Sequence, residues 1–252
     1  MTGPSLTDME RVASTFGVGM EQVRRDHLIS HVLAAIATDI STDNLVFFGG
    51  TALSRTHLAD ARLSEDIDLI ARIPRGEIAE QIERAVRRGL ARSHGRPTWQ
   101  PALAATTGSQ PAVLSVPDGT SVQVQLLGGE GYTWPTEVVQ VEQRDSNAPP
   151  ARLRVLTADA FAAAKLAAWI DRATPRDLYD LWAMSERRLI GQSALRLFTS
   201  HGPFGKPPAA WVFDRKLDEG EWMRALGHQT QLHVSAREAI AAVREAWSDA
   251  AQ

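Results

Sequence analysis

The sequence predicts an α+β protein, a mixed N-terminal part of about 155 residues followed by an all-helical C-terminal part. Three observations carry this. Between Leu45 and Leu90, short apolar runs that stop at glycine or proline alternate with stretches of helical spacing, a βαβα order. Between residues 97 and 156, Pro, Gly and Thr recur around short runs of the kind that form antiparallel strands. From Thr157 onward the apolar residues return to three- and four-residue intervals.

The elements follow in order. The first forty residues read as helical, because Val23, His27, Leu28, His31, Val32, Ala35 and Ile36 recur on one face. Asp39 to Asn44 interrupts that pattern, and Leu45 to Phe48 is an apolar run of strand formers ending at Gly49-Gly50. A helix is expected over Thr51 to Leu58 and a second strand over Asp66 to Ala71, stopped by Pro74. Ile78, Ile82, Ala85, Val86 and Leu90 then mark an amphipathic helix. Strands are expected over Ala112 to Val116, Ser121 to Leu127 and Glu137 to Val141. In the middle one, Val122, Val124 and Leu126 alternate with Ser121, Gln123 and Gln125, the period of a half-buried strand. Thr157 suits the N-cap of a helix over Ala158 to Arg172, and Pro175 suits the first turn of the next. Further helices are expected over Gln192 to Ser200, Ala209 to Leu226 and Ser235 to Trp247, with a Pro- and Gly-rich loop from His201 to Pro208.

Composition narrows the function. The chain has 252 residues, 44% apolar and 23% charged, a globular balance that sets disordered and fibrous classes aside. Lys plus Arg is 27 against 30 Asp plus Glu, so no global basic excess points to nucleic acid, although a local basic face is compatible with it. The absence of Cys excludes disulfide scaffolds, thiolate metal sites and cysteine nucleophiles. No apolar run approaches the roughly 20 residues of a membrane span, and Met1 to Arg11 lacks the blocks of a signal peptide. These features lead to the expectation of a cytoplasmic protein with no membrane partner.

The most informative stretch is Phe47-Phe48-Gly49-Gly50-Thr51-Ala52-Leu53-Ser54, followed by Arg62-Leu63-Ser64-Glu65-Asp66-Ile67-Asp68-Leu69. Residues two apart in a strand share a face, so Asp66 and Asp68 stand side by side while Ile67 and Leu69 enter the core. Adjacent carboxylates repel unless a cation neutralises them, and Mg2+ is held by one or two carboxylates together with substrate phosphates. Gly49 and Gly50 permit close backbone approach, and a helix opening near Thr51 presents N–H groups and a positive dipole end to an anion. A polyphosphate held between a helix start and a metal on Asp66 and Asp68 is the requirement of nucleotidyl or phosphoryl transfer.

These residues resemble the nucleotidyltransferases of the AbiEii/AbiGii toxin class, to which the MenT toxins belong. That family's first signature, a glycine turn opening a helix followed by Arg-x-Ser-x-Asp-x-Asp, is met by Gly49, Gly50, Arg62, Ser64, Asp66 and Asp68. Its second, a helix with Lys and Arg followed by Arg/Lys-Asp-x-x-Asp-Leu, is met by Lys165, Arg172, Arg176, Asp177, Asp180 and Leu181. The resemblance spans about Leu45 to Trp182. It implies a polymerase-beta-like nucleotidyltransferase core with a mixed sheet over residues 1–156, and a helical C-terminal domain over 157–252 that contributes to the active site. It further implies a toxin of a bacterial toxin-antitoxin pair that moves NMP from an NTP to the 3′ end of tRNA, with Mg2+ (one or two ions) as cofactor and a cognate antitoxin as partner. By the same resemblance Asp66, Asp68, Lys165 and Asp177 are catalytic, Asp66 and Asp68 bind metal, and Gly49, Gly50, Thr51, Arg62, Ser64 and Arg172 bind nucleotide. Enzymes of the wider superfamily often carry a third acidic residue on a later strand, and the corresponding strand here offers Gln123 and Gln125, which do not ionise.

The residues of the second block also have a reading of their own. Lys165 stands among Ala162, Ala163, Ala164, Ala167 and Ala168, which suits a cation with little other polar chemistry nearby. Asp177, in the first turn after Pro175, gains from the helix dipole, and Arg176 is spaced to pair with Asp180. Arg55 and Arg62 are within reach of phosphate oxygens, and Arg84, Arg87, Arg88, Arg92 and Arg96 form a basic cluster fit either for RNA phosphates or for plain solvation. His27 and His31 are one helical turn apart, but their apolar helical neighbours make them packing or surface residues rather than metal ligands. Trp169, Trp182, Trp211 and Trp222 read as core. A nucleotidyltransferase of small molecules, such as those that modify aminoglycosides, and a silent nucleotide-binding module share these motifs and stay open.

Overall fold

The structure, a computed structural model, describes residues 5–252; residues 1–4, where the expected N-terminal helical stretch and the Met1 to Arg11 segment begin, lie outside the described residues. The chain divides into two compact units. The first runs through Tyr132 and includes Glu137–Val155; the second comprises Thr133–Thr136 and Leu156–Gln252.

In the first unit the expected N-terminal helical stretch is two helices, α1 (Leu6–Phe16) and α2 (Met20–Asp39). Gly17 separates them, taking a left-handed φ of 65° as the C-cap of α1, a conformation that costs glycine little. Next come β1 (Leu45–Phe48), α3 (Gly49–Ser54), β2 (Asp66–Ala71) and α4 (Arg75–Leu90). α3 begins two residues earlier and ends four residues earlier than its apolar spacing suggests, because Arg55 at its C-cap leaves helical geometry. The antiparallel region holds β3 (Thr98–Gln100), β4 (Ala112–Ser115), β5 (Ser121–Gly128), β6 (Thr136–Val141) and β7 (Ala151–Leu156). β3 and β7 escape the sequence reading: β3 is three residues long, and β7 carries Arg152 and Arg154 between its buried positions.

The five-stranded sheet has the order β1-β2-β5-β4-β3, with β6 and β7 forming a separate pair. It is mixed: β2 pairs with β5 in parallel, while the β1–β2, β4–β5 and β3–β4 pairs are antiparallel. α2 is buried almost continuously from Gln22 to Ile36, and it packs with α4 over β5. The two helices approach closely at Gly89, where a Cβ would fall 2.5 Å from the Cβ of Ala35.

The second unit contains α5 (Ala158–Arg172), α6 (Pro175–Glu186), α7 (Gln192–His201), α8 (Glu219–Leu226) and α9 (Ala236–Asp249). The single helix expected over Ala209 to Leu226 is instead a short 3-10 turn at Ala210–Phe213 and then α8, which opens at the N-cap Asp218. α6 is the centre of this unit and packs against α5, α8 and α9. Trp169, Trp222, Trp247 and Phe198 fill the core, whereas Trp211 is half exposed beside Phe204. Side-chain caps set four of the five helix starts: Thr157, Thr174, Asp218 and Ser235 each accept a backbone N–H of the first turn, and Ser235 with Glu238 forms a capping box.

Candidate active site

The first signature folds into one compact cluster. β1 and β2 pair with Phe48 opposite Asp68, so the chain leaving β1 turns beside the second aspartate. Gly49 makes that turn at φ 77°, and a Cβ there would collide with Oδ2 of Asp68. Gly50 follows with Arg62 Nη2 2.9 Å and Ser64 Oγ 3.3 Å from where its Cβ would lie. The Thr51 hydroxyl donates to Ser64 Oγ at 2.8 Å and also contacts the carbonyl of Asp66. The two glycines therefore serve close approach: any side chain at either position occupies space held by Asp68, Arg62 or Ser64.

β2 presents its residues as its alternation requires. Ile67 and Leu69 are fully buried, whereas Asp66 and Asp68 are half-buried on the opposite face. Around them Thr51, Arg62 and Ser64 are nearly inaccessible, and Arg62 donates to the carbonyl of Leu63 at 3.0 Å. No side chain caps the start of α3. Gly49, Gly50, Thr51, Arg62, Ser64, Asp66 and Asp68 are thus brought together. Two oxygen-rich groups on one face with a close-packed glycine turn beside them fit a hard divalent cation such as Mg2+. Parallel pairing of β2 with β5 sets Gln123 opposite Asp66 and Gln125 opposite Asp68, so the neighbouring strand supplies amides where a third carboxylate would stand.

Arg55 belongs elsewhere. Its guanidinium is fully buried and pairs with Asp26 at 2.7 Å, with further bonds to Ser30 Oγ and the Glu142 carbonyl, each at 2.8 Å. Arg144 shares Asp26 at 2.9 Å. Burial lowers the Arg55 pKa to about 10, with Asp26 opposing the shift. A residue so enclosed ties α2 to the end of α3 and does not reach phosphate.

The second signature forms its own cluster in the helical unit. Lys165, on α5, is buried and lies between two carboxylates of α6, 3.2 Å from Asp177 Oδ1 and 2.6 Å from Asp180 Oδ2. Arg172 holds Asp177 with both donors, Nε at 2.7 Å and Nη2 at 2.8 Å, and Thr174 Oγ1 adds a bond of 2.6 Å. Burial opposes ionisation of Asp177, but Lys165, Arg172 and Thr174 outweigh it and hold the group well below the usual carboxylate range. The alanines around Lys165 suggest an isolated cation; the structure instead gives it two partners contributed by α6, a helix that begins only after a loop. Asp180 pairs with Lys165 across the two helices.

The glycine turn and Asp-x-Asp strand on a mixed sheet, with a helical unit after it, make up the architecture of a nucleotidyltransferase. The nucleotidyl transferase AbiEii toxin family, of type IV toxin-antitoxin systems, matches residues 31–250. The chain belongs to that family. Its structure is similar to MenT4, a nucleotidyltransferase toxin from Mycobacterium tuberculosis H37Rv, with TM-score 0.74 and 22% identity over 98% of this chain and 90% of that one. It is also similar to a putative nucleotidyltransferase from H. pylori, with TM-score 0.55 and 13% identity over 92% of this chain and 95% of that one. At these identities the likenesses speak to the fold. No curated protein sequence matches the chain. Among the described residues, no helix is long and apolar enough to cross a membrane.

Proposed function

We propose that this toxin transfers NMP from an NTP to the 3′ end of tRNA, with Mg2+ as cofactor. The observation that carries the reading is the pair of half-buried carboxylates of Asp66 and Asp68 on one face of β2, with Asp68 against the backbone of Gly49. Asp66 and Asp68 would hold the metal, which when bound neutralises triphosphate charge and favours the ionised acceptor oxygen. Gly49, Gly50 and Thr51 offer backbone N–H groups to phosphate at an uncapped helix start. Arg62 and Ser64, packed against Gly50, orient that turn and face its anion. Lys165 and Arg172 are proposed as cationic contacts to substrate phosphates, with Asp177 positioning both. The acceptor hydroxyl attacks the α-phosphorus, pyrophosphate departs, and the hydroxyl proton passes to solvent; Gln123 and Gln125 do not serve as its base.

The tRNA acceptor rests on the likeness of the two signatures to MenT toxins and on the exposed arginines of α4 and the loop beyond it. The antitoxin partner follows from the toxin-antitoxin family. The test is incubation of the protein with total tRNA and each labelled NTP, with and without Mg2+, alongside Asp66→Asn and Asp68→Asn. Metal-dependent labelling of tRNA that both variants lose supports the reading. Labelling of a small hydroxyl compound and of no RNA would replace tRNA by the small-molecule acceptor.

A further inference from the structure

Three histidines from distant parts of the chain meet in the first unit. His27 and His31 are one turn apart on α2, and His94 lies in the loop after α4. One ring nitrogen from each lies within 4.8 Å of the others, and the three ring centroids are 4.6, 4.8 and 4.9 Å apart. His27 Nδ1 and His94 Nε2 are 3.0 Å apart. In sequence the apolar helical neighbours of His27 and His31 speak for packing or surface roles, and a third ligand comes only from a distant part of the chain. The crossing of α2 and α4 at Gly89 brings His94 to them.

We infer that His27, His31 and His94 form a binding site for a divalent transition-metal ion of the zinc type, separate from the carboxylates of β2. Imidazole is the common protein ligand for such ions, and a catalytic or structural zinc takes three or four N, O or S donors. Zn–N bonds of 2.0–2.1 Å set nitrogen-to-nitrogen separations of about 3.3 Å in a tetrahedron, so the set closes by side-chain shifts of about an ångström. Outer groups suited to metal-bound imidazole are in place. Asn147 Oδ1 is 3.2 Å from Nε2 of both His27 and His31, and Asp145 Oδ2 is 3.5 Å from His27 Nε2. A cleft of about 440 Å³ lined by His27, His94, Ser93 and Asp118 gives an ion access from solvent. The ion would fasten α2 to the loop after α4, while Asn147 and Asp145 couple it to the β6–β7 connection.

The experiment uses the full chain without a polyhistidine tag, stripped with chelator and titrated with Zn2+ against a chromogenic indicator. The expected result is one equivalent bound, a rise of Tm with zinc, and at least tenfold weaker binding in His94→Ala, with binding intact in Asp66→Asn/Asp68→Asn. His94 is only half-buried in a loop, so that variant is expected to fold; His31→Gln, checked by circular dichroism, gives a second test. Co2+ replacing zinc should show visible d–d absorption that His94→Ala loses. No stoichiometric uptake, equal uptake by wild type and both histidine variants, or loss of uptake in the aspartate double variant would overturn the site.

Discussion

Gly49 and Asp68 occupy one another's space: the backbone of the glycine lies where only hydrogen fits beside Oδ2 of the aspartate. The contact is possible because β1 and β2 run antiparallel with Phe48 opposite Asp68, which delivers the turn after β1 directly to the carboxylate. The Asp68 carboxylate and the glycine turn are thus one packed object.

Gly49→Ala is expected to lower nucleotidyl transfer by about a hundredfold, the scale of losing one preorganised transition-state contact. The left-handed φ of 77° adds a backbone penalty of roughly 1–2 kcal/mol for a residue with a Cβ. Thermal denaturation should therefore show a modest fall in Tm, while labelled-NTP transfer shows the large loss. Transfer near the wild-type rate would mean that Asp68 moves away without consequence and is no ligand.

Lys165→Met is expected to cost roughly 3–5 kcal/mol, because it leaves the buried carboxylates of Asp177 and Asp180 without the cation between them. Denaturant unfolding measures this. The expectation reverses what the alanine-rich surroundings suggest, a lysine whose removal spares stability. A change below about 1 kcal/mol, the range of surface ion pairs, would show that the two carboxylates find other compensation.

The same cluster sets a pH dependence with a definite sign. Asp177 has a depressed folded-state pKa, so its contribution is complete above the ordinary Asp value of about 3.9 and is lost as pH falls through the folded-state value. In that acid window the unfolded chain binds more protons, and stability rises with pH. Asp177→Asn should flatten the fall in stability below about pH 4 relative to wild type. Parallel acid-unfolding profiles for the two proteins would assign the acid lability to other carboxylates. Arg172 is more than half exposed, so the part of the effect due to it should weaken with salt.

What was legible in the sequence and what was not divide on physical grounds. Gly49, Gly50, Asp66 and Asp68 were readable because strand alternation and turn chemistry are local, whereas Arg62 and Ser64 were marked by the family resemblance; the cluster is built within one strand-turn-helix-strand passage. The break at Gly17 was missed because apolar spacing resumes so quickly on its far side, and β7 because two arginines interrupt its buried positions. The enclosure of Arg55 by Asp26, the two partners of Lys165 and the arrival of His94 beside His27 and His31 join residues far apart in sequence. Spacing alone carries no trace of such meetings.

The acceptor can be tested through charge. Arg84, Arg87, Arg88, Arg92 and Arg96 are exposed, but Arg84 is 3.4 Å from Glu80 and Arg88 contacts Asp39. Arg87 and Arg92 are therefore the better positions to reverse, since neither change sets a new acid against those two carboxylates. If tRNA phosphates bind here, the logarithm of affinity falls linearly with the logarithm of salt concentration, by about 0.7–0.9 for each phosphate contacted. Arg87→Glu/Arg92→Glu should then weaken tRNA binding at least tenfold and reduce that slope by one to two, while NTP binding, assigned to the glycine turn and β2, stays unchanged. A salt titration of tRNA binding for wild type and the double variant makes the comparison. Equal slopes and affinities would remove this face of α4 from the RNA surface, and a parallel loss of NTP binding would mean that the substitutions disturb the nucleotide site itself.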